Sequence, residues 1–446
     1  TFSYLARLSP AVVPNEPGAR DAANGGFSAN GVRSNGQNNF LLNGVDNNVN
    51  VIDFINETSF VVGPSVEAIG EMKVITNGNN AEYGRGAGGV VNVSLKSGTN
   101  DFHGLAYWMH QNDNFDANRW ENNRSAVDKG ERISNEFGAN LGAPIIKDKL
   151  FFFINYRGIR ERQGGSTSTF TIPWQPMRTG DFSAQLTNNL LGTDTAGNPV
   201  YEGQIFDPTT DQIVGGERVR TAFAGNVIPT SVQDPASLKL LSLYPTPNTN
   251  LGERVPNDNY IIGVPLKRDV DQGDFRVDLR ASDKDSLFFA GSWHESIRNR
   301  NPPLGTLDAT GFAGEVQQDQ PRNIMASWTR VWTPTILTEV RAAYTRLVTA
   351  RIQANPTDDG FALLGIGGIN TCAFFEQNCG IPQMNFGQYS NVGASDWLPT
   401  KEWSNVWDFI ANMSINKGAH AIKFGAEYRP VDFPFFQFPS SHGNFN

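Results

Sequence analysis

A strict alternation of apolar and charged side chains between residues 273 and 282 constrains the fold of this chain more than any other feature. Every second residue is apolar and the residues between are charged, which is the pattern of a β-strand with two unlike faces. A polar turn at residues 283–285 then returns the chain through Leu287, Phe289 and Trp293, so the pattern predicts an antiparallel hairpin. The apolar face comprises Phe275, Val277, Leu279 and Ala281, and the charged face comprises Asp274, Arg276, Asp278 and Arg280.

The same hairpin unit recurs along the chain. Its strands cover residues 135–143 with 150–156, 324–332 with 340–344, and 407–413 with 422–428. Short turns join each pair, whereas the links between hairpins are long, at about 163–267, 297–322 and 350–402. Outer-membrane β-barrels have short turns at one rim and long loops at the other, and a soluble sandwich spaces its turns more evenly. The charged inner faces also suit a water-filled lumen better than a dry core.

These patterns predict a mainly β fold with antiparallel transmembrane strands. We assign Phe275, Val277 and Leu279 to the lipid face, whereas a soluble sandwich would bury them against a second sheet. One strand after His103 and four hairpins give about nine wall strands, and plugged transporters have about 22, so we expect an incomplete barrel. The chain lacks a signal peptide at Thr1 and stops within a Gly/Ser/Pro-rich run, which we interpret as a fragment.

Composition argues against several classes of function. The 446 residues carry a net charge of −9, which disfavours a nucleic-acid partner. The chain has no run of 18 apolar residues and therefore no predicted transmembrane helix, but strands of about 9–11 alternating residues still allow a membrane barrel. Its 5 histidines and 2 cysteines form no set with metal-ligand or catalytic spacing. We therefore predict no metal, no cofactor and no enzymatic activity.

Residues 1–100 predict a small α+β domain, followed at residues 101–446 by the N-terminal portion of the barrel with long extracellular loops. A short strand at residues 40–42 ends at Asn43-Gly44, and residues 70–75 form another strand. Residues 64–69 carry a helix-start signal in which Ser65 is a possible N-cap. A Gly-rich turn then leads into a β-branched strand at residues 90–95.

Two motifs in this domain resemble ligand sites but lack their structural context. Gly84, Gly86 and Gly89 form G-x-G-x-x-G, but a strand follows instead of the helix that a dinucleotide site requires. We expect these glycines to provide positive φ and close backbone approach. A second set has the spacing of calcium ligands, but Val51 stands where a calcium loop needs glycine, so we predict an Asn-rich turn. That set comprises Asp46, Asn48, Asn50 and Glu57.

The stretch NAEYGRGAGGVVNVSLKSGTNDFHG at residues 80–104 resembles the end of the plug and the entry into the barrel of TonB-dependent outer-membrane receptors. Residues 31–48 and 66–74 are also similar to plug segments of that family, and the loop NTCAFFEQNCG is most similar to the Oar-like subgroup. The matching residues in the first stretch are Tyr83, Gly84, Arg85, Gly86, Gly88, Gly89, Val90, Asn92, Lys96, Ser97 and Gly98.

The resemblance implies a plug domain inside a barrel in the bacterial outer membrane, and uptake of a scarce extracellular ligand. In such receptors a TonB-type protein, contacted through a segment upstream of residue 1, supplies the energy that remodels the plug. We expect mainly polar contacts to hold the plug, with Glu67, Glu71, Lys73, Glu82 and Arg85 available for them. The ligand stays open among iron-siderophores, glycans, peptides and cobalamin. An alternative is a surface adhesion barrel that transports nothing.

Cys372 and Cys379 lie seven residues apart in a polar, Gly-rich stretch. A close pair in an oxidising compartment favours a disulfide, whereas two free thiols would suit a cytosolic protein. We predict a disulfide between them in a long external loop.

Overall fold

The computed structural model describes residues 2–16, 26–32, 37–50, 58–77, 80–124, 128–165, 167–307, 315–354, 359–369, 379–437 and 439–445. The first elements are α1 (Ser3–Ala6), β1 (Val12–Pro14), β2 (Phe27–Ala29), β3 (Asn39–Leu42), β4 (Val45–Asp46), β5 (Ile69–Ile75), β6 (Val90–Leu95), β7 (His103–Asn112), α2 (Trp120–Arg124), β8 (Arg132–Ile146) and β9 (Leu150–Gln163). Next come β10 (Thr167–Phe170), β11 (Leu190–Thr193), β12 (Pro199–Tyr201), β13 (Gln212–Val214), β14 (Glu217–Val219), α3 (Pro235–Ser242), β15 (Tyr260–Gly263), β16 (Leu266–Arg280), β17 (Asp285–Arg300) and β18 (Glu315–Asp319). The last are β19 (Arg322–Thr333), β20 (Ile336–Gln353), α4 (Gly360–Leu364), β21 (Gln383–Met384), β22 (Thr400–Lys417), β23 (His420–Tyr428), β24 (Val431–Asp432), β25 (Phe435–Gln437) and β26 (Asn444–Phe445).

A large antiparallel sheet, here called the wall, follows the order β7-β8-β9-β16-β17-β18-β20-β22-β23. β18 and β19 follow one another in the same place in the sheet, and both pair with β17 on one side and β20 on the other. After β23, the short strands β24 and β25 also pair with β22. Short turns connect β8 to β9, β16 to β17, β19 to β20 and β22 to β23, as the sequence predicts. Within the described residues, β7 and β23 pair on one side only, which confirms an incomplete barrel of about nine strands.

Several wall strands are longer than the alternation predicts. β20 and β22 each contain 18 residues. At about 3.3 Å per residue they span about 60 Å along the chain, so even a tilted strand exceeds the hydrocarbon thickness of about 30 Å. The wall therefore extends into the predicted links, where β18 reads Glu-Val-Gln-Gln-Asp. The two faces of β18 differ too little in polarity to produce the alternation that predicts a strand.

The two faces of the wall differ as the alternation predicts. Asp274, Arg276 and Asp278 point inward, because they contact Asn155, the Leu95 carbonyl and Ser97, respectively. The opposite face leaves large apolar side chains exposed on neighbouring strands. The barrel assignment is thus confirmed for β16, and its apolar face suits lipid. Exposed members of this face include Ile154, Tyr156, Leu287, Phe289, Ile324, Val340, Trp407 and Phe409.

A second sheet of four strands, here called the inner sheet, has the order β4-β3-β6-β5. β3 pairs parallel with β6, and β3 turns into β4 through Asn43 at φ 52° and Gly44 at φ 80°. A helix does start after Ser65, but it is the short 3-10 helix Val66–Ala68, and Ser65 at its N-cap position makes no side-chain capping hydrogen bond. The Ser65 hydroxyl instead accepts a hydrogen bond from the Asn155 side chain of the wall, at 3.0 Å.

One apolar cluster joins the inner sheet to the wall. It contains Phe40, Leu42 and Val91 from the inner sheet, all fully or nearly buried. The expectation that polar contacts mainly hold the N-terminal domain is therefore incomplete, because apolar burial stabilises the same interface at about 25 cal/mol per Å². The wall contributes Phe153, Ala290, Met325, Ala343 and Leu347 to the cluster.

The long connections fold into a unit with its own apolar cluster. This loop module comprises the described residues between β9 and β16, between β17 and β18, and between β20 and β22. Its buried cluster includes Ile172, Leu240, Leu307, Leu364 and Ile381, so residues from all three connections pack together. The sequence did not predict this cluster, since its members are far apart and follow no single period. None of the described helices has the length and apolar character needed to cross a membrane.

Candidate functional site

A polar cavity of about 720 Å³ lies between the inner sheet and the wall strands β20, β22 and β23. The turn after β3, the end of β4 and the Gly-rich turn before β6 form one side of it. Charges of both signs line it, which suits a hydrated space better than an apolar ligand pocket. The charged lining residues are Asp46, Glu82, Arg85, Glu339, Arg341, Asp408, Lys423, Glu427 and Arg429.

The buried Asp46 carboxylate is the centre of this site, with 1% of its surface exposed. Its Oδ1 lies 3.2 Å from Arg429 Nη1 beyond β23, and 3.7 Å from Arg85 Nη1 on the Gly-rich turn. The Asp46 backbone N–H also donates to Asp408 Oδ2 on β22, at 2.9 Å. Burial lowers the pKa of the Arg85 guanidinium, and the nearby Asp46 charge opposes that shift. Asp46 therefore binds the inner sheet to the wall through one carboxylate.

Two further contacts connect the wall to this edge of the inner sheet. Lys423 Nζ donates to the Glu82 carboxylate. Burial raises the pKa of Glu82, but hydrogen bonds from Lys423 and Asn80 and the Lys423 charge outweigh it, so the pKa is lowered. Arg341 Nη1 donates to the Gly44 carbonyl at 3.1 Å and Nη2 to Glu339 at 2.6 Å. Gly44 has a φ of 80°, a backbone conformation that favours glycine, and a Cβ there would also displace Arg341 Nη1 at 2.1 Å.

A second group of polar contacts lies on β9 and β16. Asn155 donates to Asp274 at 2.9 Å as well as to Ser65. Gln272 donates to the Gly63 carbonyl at 2.9 Å, and the Ser97 hydroxyl donates to Asp278 at 2.7 Å. The contacts of Asn155 and Gln272 are partly or fully buried and that of Ser97 is exposed, whereas the ion pairs above line the polar cavity. The inner sheet is therefore held differently on its two sides.

Some residues of the predicted plug motif at positions 83–92 line the polar cavity, and the others lie in the Gly-rich turn next to it. Tyr83, Gly84, Arg85 and Asn92 line the polar cavity, and burial raises the pKa of the Tyr83 hydroxyl. Asn92 Oδ1 accepts from the Gly44 N–H at 3.0 Å, which ties β6 to the β3–β4 turn. The remaining motif residues, Gly86, Gly88 and Gly89, lie against residues 37 and 38.

Gly86 and Gly88 serve close approach rather than positive φ, whereas a Cβ on Gly84 would meet nothing within 4 Å. A Cβ on Gly86 would lie 2.0 Å from the Gln37 carbonyl oxygen, and one on Gly88 would lie 2.9 Å from the same atom. The positive φ in this turn belongs to Arg85, at 76°, and not to any of the four motif glycines. The strand β6 that follows confirms that the G-x-G-x-x-G spacing lacks the helix of a dinucleotide site.

Other sequence predictions concern residues at the edge of the described chain. Asp46 and Asn48 contact each other, and Asp46 is neutralised by two arginines. Glu57, the twelfth position of the calcium-like spacing, lies outside the described residues. Cys379 is buried and disulfide-bonded. Cys372 lies outside the described residues, so its pairing with Cys379 stays a prediction.

Sequence reasoning did not identify the wall residues that complete the site. Arg341, Lys423 and Arg429 follow the inward half of the alternation, which indicates only a lumen-facing position. Their partners Gly44, Glu82 and Asp46 lie hundreds of residues earlier, at separations of 297, 341 and 383 positions. No local pattern in the sequence carries such a pairing.

Comparison with known proteins agrees with this architecture. Residues 94–446 match the family described as "Outer membrane beta barrel domain". This chain belongs to that family. It is 32% identical over 225 residues to the TonB-dependent transporter Oar of Myxococcus xanthus, covering 49% of this chain and 18% of Oar. The predicted resemblance to Oar-like receptors and the location in the bacterial outer membrane are confirmed.

The match to one solved structure supports the fold. The outer-membrane transporter YddB of Escherichia coli superposes with a TM-score of 0.56 at 12% identity, covering 96% of this chain and 45% of YddB. A variant of the ferric enterobactin receptor of Pseudomonas aeruginosa gives 0.48 at 11% identity, covering 97% and 46%. The chain thus spans 18% of the curated relative and less than half of these structures.

Proposed function

We propose that this outer-membrane barrel chain acts in TonB-dependent uptake of a scarce ligand. Residues 1–100 serve as the plug, and residues 101–446 form the N-terminal portion of the barrel with its extracellular loops. The ligand reaches the plug from the side of the loop module. A TonB-type protein, contacted upstream of residue 1, supplies the force that remodels the plug. The 32% identity to the transporter Oar supports this function over adhesion.

The observation that carries the proposal is the unequal attachment of the inner sheet. On β9, β17, β19 and β20 it packs through the shared apolar cluster. On the side of β22 and β23, where Ile410 also reaches the cluster, ion pairs that line a cavity of about 720 Å³ hold it. The Lys423–Glu82 pair is accessible to water, and such pairs contribute only about 0–1 kcal/mol each, because water replaces them when they separate. The buried Asp46 carboxylate pairs with Arg85 and Arg429, whose side chains are 19% and 25% exposed, so water reaches the cationic side of those pairs. A pulling force therefore opens the cavity side first and leaves the apolar side attached.

The test uses a cysteine that becomes accessible only when the inner sheet moves. Ser404 on β22 is 1% exposed, and its hydroxyl accepts a hydrogen bond from the Asn50 side chain at 2.9 Å, on the side that opens first. In the full-length protein in cells, a Ser404→Cys variant should react with fluorescein maleimide faster when TonB and the proton-motive force are present. Ile213→Cys serves as the matched control, because Ile213 is 67% exposed in the loop module and should react equally in both strains. Equal labelling of Ser404→Cys without TonB would support the adhesion alternative instead.

A further inference from the structure

The loop module contains a second, apolar cavity that differs from the polar cavity beside the inner sheet. Its volume is about 240 Å³, and it lies between the connection that carries α3 and the connection between β20 and β22. The first connection contributes seven lining residues, the first of which is Pro173 and the last Tyr244. The second connection contributes Phe386 and Tyr389. Its main lining side chains are Met177, Phe182, Leu240, Tyr244, Phe386 and Tyr389.

The walls of this cavity are fixed by hydrogen bonds outside it. The buried Arg178 guanidinium donates to the backbone carbonyls of Pro173, Tyr244 and Pro245. Beside the cavity, the Thr171 N–H donates to the Ser390 hydroxyl and the Ser390 N–H donates to the Thr171 carbonyl, both at 2.9 Å. The two connections are therefore tied together next to the cavity, which gives it a defined shape before a ligand arrives.

The size and lining of the cavity select the chemistry of an occupant. A cavity of about 150 Å³ lined by apolar side chains accepts benzene. At about 240 Å³, this cavity has room for one ring with a small substituent. Four of its lining residues are aromatic, and aromatic rings and methionine sulfur both pack favourably against a ring. The Tyr389 hydroxyl, 3.6 Å from Met177 Sδ, provides a polar atom for the substituent.

We propose that this cavity binds a single aromatic ring bearing a hydroxyl-type substituent, carried by the ligand that the protein takes up. This inference rests on the proposed uptake function, because it assigns the ring to that ligand. Residues of two connections surround the ring, so its binding holds these connections together. A ligand with an accessible phenolic ring is thereby captured at the loop module before it reaches the inner sheet.

The probe is 4-fluorophenol, followed by ¹⁹F NMR line broadening on the full-length protein in lipid nanodiscs. We expect saturable binding that phenol displaces and cyclohexanol does not. Leu241→Trp fills the cavity and should weaken binding by about tenfold or more, because a core site has no room for added atoms. Tyr389→Phe removes only the hydroxyl and should weaken binding by roughly threefold to tenfold. Ile213→Trp, at a site 67% exposed on β13, should leave binding unchanged.

Each outcome bears on the inference separately from the uptake function. If 4-fluorophenol does not bind, or if cyclohexanol displaces it as well as phenol does, the inference is overturned. Unchanged binding in both Leu241→Trp and Tyr389→Phe would place the probe elsewhere and would also overturn it. Any of these results leaves TonB-dependent labelling of Ser404→Cys intact, whereas loss of that labelling contradicts the uptake proposal alone.

Discussion

At the scale of single residues, Asp46 connects three parts of the molecule. It ends β4, it is 1% exposed, and it meets Arg85 from the Gly-rich turn and Arg429 from beyond β23. A buried carboxylate without cationic partners is costly, so the two arginines make its position possible. Asp46 in turn compensates the charges of Arg85 and Arg429, and Arg429 also pairs with Glu427 at 3.2 Å. The Asp46 side chain therefore fixes the position of the inner sheet against the end of β23, the last strand of the wall.

Replacing Asp46 by asparagine should loosen this side of the inner sheet. The amide keeps the shape of the side chain but leaves Arg85 and Arg429 without the carboxylate, and we expect a loss of about 2 kcal/mol, below the range for fully buried pairs because the arginines line a hydrated cavity. Hydrogen exchange of β4 and β6 amides in the full-length protein measures the loss. Glu217→Gln, on exposed β14, is the matched control. Equal exchange in D46N and the parent protein would contradict the role of Asp46.

Gly84 and Gly86, both in the Gly-rich turn before β6, offer a matched pair of substitutions. A Cβ on Gly86 would lie 2.0 Å from the Gln37 carbonyl oxygen, whereas a Cβ on Gly84 meets nothing within 4 Å. Gly86→Ala should therefore destabilise the inner sheet by about 1–3 kcal/mol or more through backbone displacement. Gly84→Ala should change its stability by less than about 0.5 kcal/mol. Limited proteolysis of both variants measures the difference, and similar digestion rates would show that close approach is not the constraint.

At the scale of elements, the lipid-facing strands were predictable and the loop module was not. β16 alternates because lipid on one side and a polar interior on the other impose opposite demands on successive residues. β18 lies at the same sheet position as β19 but lacks this contrast, so the sequence assigned it to a link. The inner sheet was recognised from its Gly-rich turn, whereas its ionic partners on β20 and β23 depend on tertiary structure. Periodicity thus reports the solvent on each face and not the long-range pairing.

The face assignment of β16 leads to a test by charge. Val277 lies opposite Phe152 and Phe289 on the apolar outer face, and Asp278 accepts from Ser97 on the inner face. Val277→Arg should cost about 2–4 kcal/mol if it lies near the bilayer midplane, and should impair assembly in the outer membrane. Asp278→Asn, its neighbour on the other face, should assemble normally. The measurement is the amount of full-length protein in outer-membrane fractions, and normal assembly of the V277R variant would refute the assignment.

The loop that contains Cys372 and Cys379 carries a prediction of its own. Cys379 is disulfide-bonded, and Cys372 is the chain's other cysteine. We expect mass spectrometry of non-reduced peptides from isolated outer membranes to show the two cysteines in one linked peptide. Treatment with a reductant before alkylation is the control and should release both thiols. Alkylation of both cysteines without a reductant would contradict the disulfide.

At the scale of the whole molecule, an inner sheet of four strands lies on the concave side of an open wall. Apolar packing attaches it across β9 to β20, and ion pairs attach it at β22 and β23. The loop module covers the end of the wall away from the short turns. This arrangement combines a firmly held side, a side that water can loosen, and a structured outer surface. Together these features support remodelling of the inner sheet rather than its complete release.

The open wall leads to the last prediction. Within the described residues, β7 and β23 each expose one edge, and unpaired backbone groups at a strand edge cost several kcal/mol each in hydrocarbon. A polypeptide limited to these 446 residues should therefore fail to form a closed barrel in detergent or lipid. Closed outer-membrane barrels resist unfolding in cold detergent and migrate differently on gels before and after boiling. The 446-residue polypeptide should show the same migration in both states, whereas a complete barrel run beside it as a control should show the shift. A heat-dependent shift of the isolated chain would mean that β7 and β23 find partners without further strands.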